Sequence, residues 1–278
     1  MTERLADISA RISGIRQLGA VVNAMKGIAA ARAHVARGQL EAVDSYAGTI
    51  ATAMSRILPH GGVAPAAASN GKTGLLVFCA EQGFAGAFSE RVLDSLGDPP
   101  PATLFLIGTR GVSVAGLRGV TPQWTAALPS HTPGIPKLAD RITTAIYDAV
   151  GTGRIDSLDV VFTGWTKGRP TVIRKRLFPG HLADLPPGPR NPPLTQLPTE
   201  TLLASLGQEY FNAQVCKAAL HAFAAENEAR MEAMTSAGSQ IARELETFEA
   251  TLRRVRQEAI TAEIIELGTG DASARSNV

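Results

Sequence analysis

Ile241 to Ala259, IARELETFEATLRRVRQEA, places Ile241, Leu245, Phe248, Leu252, Val255 and Ala259 at alternating steps of 4 and 3. That spacing is the apolar seam of a left-handed coiled coil, because every third and fourth residue returns to the same side of a helix. Met231 and Met234 lengthen the stripe on one side, and Ile260, Ile264 and Leu267 carry it further on the other after a shift of one residue. A seam needs a second helix. The opposite end of the chain offers one: Leu5, Ile8, Ile12 and Ile15 step by 3, 4 and 3, and Leu18, Val22, Met25 and Ala29 resume the stripe after a one-residue shift.

Proline placement isolates these two arms. All 17 prolines lie between Pro59 and Pro198, and proline breaks a helix by removing a backbone donor and crowding the preceding turn. The first 58 and last 80 residues are therefore free to run as helix. Charge is divided too: residues 1–58 carry 7 basic and 4 acidic side chains, and residues 199–278 carry 7 and 12. Opposite bias suits two helices lying side by side, although exposed ion pairs contribute only about 0.2–1 kcal/mol each. At about 1.5 Å per residue such helices would run on the order of 80–100 Å, so they are expected to project from a compact body. Gly14, Gly19, Gly27 and Gly38 cost the first arm about 1 kcal/mol each against alanine without forcing a break.

The middle of the chain has a different rhythm. Gly74 to Ala80, Thr103 to Ile107, Leu158 to Thr163 and Thr171 to Phe178 read as strands, the first three too uniformly apolar to be half exposed. Ser89 to Leu96 and Lys137 to Val150 read as helices. Alternation of this kind predicts a small α/β domain with a mainly parallel sheet. The expected plan is a coiled-coil helix over 1–58, an α/β domain over 70–185, a Pro-rich connector over 186–198, a second coiled-coil helix over 199–267 paired antiparallel with the first, and a polar tail over 268–278.

Several function classes are disfavoured. No apolar run approaches the roughly 20 residues of a membrane span, and Glu3, Arg4 and Asp7 do not suit a signal peptide. An intracellular protein is expected. Cys79 and Cys216 form no CxxC, and His34, His60, His131, His181 and His221 are at least 26 residues apart, which does not suit a metal centre. Nucleic-acid binding is not expected either: Arg11, Arg16, Lys26, Arg32 and Arg37 spread around the helix without interleaved aromatics. The one motif with chemical potential is the turn EQGFAGAF, Glu81 to Phe88, since glycine-rich strand-to-helix turns can bind phosphate through backbone N–H groups. Gly83 and Gly86 lack the G-x-G-x-x-G spacing and any Lys-Ser/Thr ending, so close packing of strand on helix is the simpler reason for them. No cofactor is expected.

Three regions, the last of them in two stretches, carry a family resemblance. Arg11 to Gln39, with Ala24-Met25 and Ile28-Ala29-Ala30-Ala31, Glu81 to Ser89 (EQGFAGAFS), and above all Glu226 to Ala237 (ENEARMEAMTSA) and Arg256 to Leu267 (RQEAITAEIIEL), resemble the gamma subunit of F-type ATP synthases in order and spacing. Gln82, Ala85, Ala87, Val22, Asn23 and Arg253 depart from its usual residues, which marks a divergent member. The resemblance implies a non-catalytic central-stalk rotor whose partners are the alpha and beta subunits of the catalytic hexamer, the epsilon subunit and the membrane c-ring. It would sit peripherally at the cytoplasmic face of the membrane without spanning it. Arg256 and Gln257 then match residues that hydrogen-bond a loop of beta, and Thr261 and Glu263 match others implicated in coupling; Arg230 and Met25 are further partner-binding candidates, and Ile260 and Ile264 belong to an apolar bearing surface. The competing readings are a nucleotide-binding α/β enzyme dimerised by its helices, and a coiled-coil scaffold.

Overall fold

The computed structural model describes residues 2–58, 71–97, 103–166, 169–179, 186 and 193–275. Of the expected connector, residues 187–192 lie outside the described residues, as do residues 276–278 of the expected tail. The order of elements is α1 (Thr2–Ile57), β1 (Thr73–Phe78), α2 (Phe88–Asp94), β2 (Thr103–Ile107), α3 (Thr109–Leu117), β3 (Trp124–Ala126), α4 (Ile135–Gly151), β4 (Ser157–Thr166), β5 (Arg169–Phe178) and α5 (Thr199–Arg275). Both arms are continuous helices, of 56 and 77 residues. None of the described helices is long and apolar enough to cross a membrane.

The chain forms two compact units, Met1–Ile28 with Met231–Val278, and Ala29–Arg230. In the first, the two helices run antiparallel. Arg16 Nη2 donates to Glu249 Oε1 at 2.7 Å, the Arg11 guanidinium lies 5.4 Å from the centre of the Phe248 ring, and Gly19 packs on Ile241. On α5, Met234, Gly238, Ile241, Leu245, Phe248, Leu252, Val255 and Ala259 are buried or half-buried, as the heptad requires.

The α1 seam differs from expectation. There is no shift at residue 18: Leu18 is 54% exposed, and the inward positions continue in strict heptad steps through Ile12, Ile15, Gly19, Val22, Lys26 and Ala29. The reason is packing. A Cβ on Gly19 would sit 3.4 Å from Ile241 Cγ2, and one on Gly238 would sit 4.0 Å from Val22 Cγ1. Each glycine is the hole for a branched side chain opposite, as knobs-into-holes packing demands. Leu18, Val21 and Ile28 are left as an outward apolar stripe, each more than half exposed, with Met25 half-buried beside them. On α5 the expected continuation past Ala259 is likewise absent: Ile260 and Ile264 are 58% and 63% exposed.

The second unit is built on a five-stranded sheet of order β3-β2-β1-β4-β5, parallel except for the antiparallel β4–β5 pair. Side chains on a strand alternate between faces, so β1 sends Leu75 and Val77 to a core shared with α2 and α3. Leu76 and Phe78 go to a core shared with α4, Ala36 of α1 and Phe211 to Ala224 of α5. Both faces are covered, which is why the first three predicted strands are mostly apolar, with Asp159 the one charged residue among them.

Two elements were not legible. α3, TRGVSVAGL, contains two glycines and three β-branched residues and has little helical propensity, while β3 is only three residues long. Gly111 and the preceding Gly108 answer to tertiary contacts, whereas a Cβ on Gly116 would meet nothing within 4 Å. Gly108 has φ 108°, and a Cβ there would lie 2.5 Å from Cys79 O; a Cβ on Gly111 would lie 2.1 Å from Cys79 Cβ. The start of α3 thus sits directly on the end of β1.

Candidate functional site

Arg256, Gln257, Ile260, Thr261, Glu263 and Ile264 are all exposed on the C-terminal part of α5. At about 100° per residue they share an arc of roughly 160°. Val255, adjacent in sequence, is fully buried on the seam. The strip is therefore mixed: apolar Ile260 and Ile264 alternate with groups that hydrogen-bond, and Ile265 beside them is 60% exposed. Thr261 Oγ1 donates to Gln257 O at 2.9 Å, which fixes that hydroxyl along the helix. Arg254 approaches Glu258 one turn on at 3.8 Å, both of them exposed.

Arg230 is placed quite differently from these. It is 5% exposed and lies inside the Ala29–Arg230 unit. Its Nη2 donates to Glu226 Oε1 at 2.6 Å and to Gln82 O at 3.3 Å, Nε donates to Gly83 O at 3.2 Å, and Nη1 donates to Asn227 Oδ1 at 3.1 Å. Glu226 completes the arrangement by accepting the backbone N–H groups of Glu81 and Gln82, each at 3.1 Å. The turn after β1 is thus gripped by its donors and its acceptors at once. Glu81 ties the same turn onward: its carboxylate accepts Thr109 N at 2.9 Å, Thr109 Oγ1 at 2.8 Å and Leu128 N at 2.8 Å.

That geometry answers the phosphate question raised by the turn. Two of its N–H groups already face a carboxylate of the same chain, and that carboxylate is buried at 3% exposure. The packing explanation for Gly83 and Gly86 also needs correcting. A Cβ on either would meet nothing within 4 Å; Gly86 instead has φ 57°, and Phe84 shares that left-handed backbone at φ 62°. Turn conformation, rather than close approach, accounts for Gly86.

Sequence reasoning missed Glu226 and Asn227 as functional groups. For Glu226 the signal was present as charge within an otherwise apolar stretch, FAAENEARM, since charged residues are seldom fully buried unless paired, and Asn227 is the neutral polar group beside it. A second buried acid, Glu228, pairs with Arg37 of α1, whose guanidinium lies 5.7 Å from the centre of the Trp165 ring on β4. Asp159 on β4 is held by Arg174 at 2.8 Å and by Arg176, both of β5.

Neither cysteine is set up as a nucleophile. Burial pushes the Cys79 thiol up to about 12 and the Cys216 thiol up to about 11, so both are thiols near neutral pH. His221 stacks on Phe162 at 5.5 Å, and burial lowers its pKa. Among the described residues no group of three or more His, Cys, Asp or Glu side chains is arranged to hold a metal ion.

Known proteins resemble this chain over nearly its whole length. The ATP synthase gamma chain of Frankia casuarinae is 26% identical over 298 residues, covering 99% of this chain and 98% of the relative. That of Solibacter usitatus is 28% identical over 298 residues, covering 97% and 99%. A chain in the cryo-EM structure of Euglena gracilis mitochondrial ATP synthase (OSCP/F1/c-ring, rotational state 3) has the same fold, with a TM-score of 0.67 at 14% identity, covering 98% of this chain and 95% of that one. The model of the family described as ATP synthase matches residues 4–274, and the chain belongs to the ATP synthase gamma family.

Proposed function

We propose that this chain is the rotor of an F-type ATP synthase, carrying the rotation driven by ion flow through the membrane c-ring to the catalytic beta subunits. The proposal assigns ATP chemistry to beta and only mechanical coupling to the present chain. Its α/β unit is the foot that meets epsilon and the c-ring, and its paired helices turn within the alpha and beta hexamer. It would lie peripherally at the cytoplasmic face of the membrane.

The observation that carries this reading is the strip Arg256 to Ile264. Exposed isoleucines at the end of a helix are unfavourable in water, and they make sense as a bearing surface that slides past several neighbours without a fixed polar partner. Arg256 and Gln257, with Thr261 about one turn on and Glu263 about two, supply the contrasting function of a latch to a beta loop. A hydrogen bond involving a charged group is worth about 1.5–3 kcal/mol net. Each elementary charge crossing the membrane releases about 2.3 kcal/mol per 100 mV, so a few ions are enough to open such a latch at every step. Met25 and the outward stripe Leu18, Val21 and Ile28 on α1 present a second apolar surface to the same hexamer.

The competing enzyme reading is the weaker one, because Glu226 accepts two of the turn N–H groups that a phosphate would use. The decisive experiment is co-purification of the chain with alpha and beta subunits, followed by Arg256→Ala in the reconstituted complex. The variant is expected to assemble and to make ATP about tenfold more slowly under an ion gradient, the factor that follows from losing about 1.4 kcal/mol of latch energy. Unchanged synthesis would remove Arg256 from the latch; absence of alpha and beta from the purified material would end the rotor reading.

A further inference from the structure

We propose that Glu226, Asn227 and Arg230 act as a torsional key, fixing α5 against the sheet so that load entering the α/β unit passes into the helix rather than making it slip. The inference rests on the rotor reading, and it concerns residues lying wholly within the Ala29–Arg230 unit.

The packing of α5 on the sheet explains why a key is needed. Between Phe211 and Ala225, ten residues of α5 are buried apolar side chains, and six of those ten are alanine: Ala213, Ala218, Ala219, Ala222, Ala224 and Ala225. Alanine presents one methyl group. A surface of such methyls is close-fitting and smooth, and the hydrophobic effect that holds it has no preferred direction. It resists separation far better than rotation about the helix axis. Hydrogen bonds have the opposite property, since they weaken steeply once their angles are lost.

The three residues supply such directional bonds at the C-terminal end of the smooth surface. Glu226 accepts two turn N–H groups while Arg230 donates to two turn carbonyls, and the pair is joined at 2.6 Å. Asn227 braces Arg230, accepting from its Nη1 at 3.1 Å, and donates its own Nδ2 to Phe223 O at 2.8 Å. The turn they grip leads directly out of β1, the central strand of the sheet. Glu81 then passes the constraint to Thr109 at the start of α3 and to Leu128. A buried ion pair is weak evidence for net stability, because desolvation offsets most of the attraction. Fixing one geometry among several is the better-supported use for it, and rotor coupling requires that property.

The test uses the complete ATP synthase, with a probe attached at a cysteine introduced at Leu117, which is 86% exposed at the end of α3. Angular variance of the probe is recorded during a catalytic dwell, when the helices are held by the hexamer. Glu226→Gln keeps the shape and removes the charge; Arg230→Lys keeps the charge and removes the planar fork. Both are expected to widen the variance at least about twofold. Asp159→Asn breaks a comparable buried acid held by two arginines, away from α5, and is expected to leave the variance at the wild-type value. Wild-type variance in both key variants would overturn the proposal, as would equal widening in Asp159→Asn, which would indicate general loosening. If neither key variant assembles while Asp159→Asn does, the residues serve folding and the proposal falls. Failure of the unaltered chain to assemble would instead refute the rotor reading, and the key with it.

Discussion

Residues 211–230 and 256–266 belong to the same helix and have opposite environments. In the first stretch Phe211, Val215, Leu220 and Phe223 are buried, and even Glu226, Asn227, Glu228 and Arg230 are 3–6% exposed. In the second, every residue from Arg256 to Glu266 is exposed except half-buried Ala259, and Ile260, Ile264 and Ile265 are 58–63% exposed. Both are fully helical, and each contains alanine, glutamate and one arginine. What differs is whether the chain itself supplies the partner. Charged groups inside and apolar groups outside are each costly, so they mark the two places where α5 meets a demand other than folding alone.

The comparison can be broken most directly by truncating one apolar side chain from each stretch. Phe223→Ala is expected to destabilise the chain by about 3–5 kcal/mol in urea unfolding. Gly14→Ala and Gly27→Ala come next. A Cβ at either position meets nothing within 4 Å, so each is expected to stabilise α1 by about 0.5–1 kcal/mol in the same measurement. Ile264→Ala should change the stability of the isolated chain by less than about 0.5 kcal/mol while lowering ATP synthesis in the complex. A loss of stability approaching that of Phe223→Ala would show that the exposed end folds against something in its own chain.

The smallest effect concerns His221, half-buried against Phe162 and facing Lys217 and Asp44. Burial and then Lys217 lower its pKa, and Asp44 opposes them. A histidine whose folded pKa lies below the unfolded value of about 6.5 contributes stability that is complete above that value and declines as pH falls toward the folded pKa. Melting temperature is therefore expected to drop between pH 7.5 and 5.5, and His221→Phe should flatten part of that slope. An unchanged slope in the variant would assign the drop to other groups.

Legibility followed the range of the forces involved. The α5 seam and the apolar strands could be read directly because heptad spacing and full burial leave their marks on consecutive residues. The α1 seam was misread at Leu18 for a physical reason: Gly19 has no side chain, so its role as a hole for Ile241 leaves no apolar signal. α3 was missed because Gly108 and Gly111 serve Cys79 rather than their own helix. Of the candidate residues, the exposed strip on α5 was visible as a motif, whereas the role of Arg230 was only half visible. Its i,i+4 relation to Glu226 can be read from the chain, but its grip on Gln82 and Gly83 spans 148 and 147 residues.

By itself, then, the sequence determined two long helical arms, an alternating α/β centre and a family, since helix period, strand burial and proline exclusion are imposed by neighbours along the chain. Tertiary structure alone decided which glycines admit another side chain, where the α1 seam turns inward, and that one acidic and one basic group of α5 close on the turn after β1. Those outcomes depend on distances of a few ångströms between residues far apart in sequence, where local pattern carries no information about the partner.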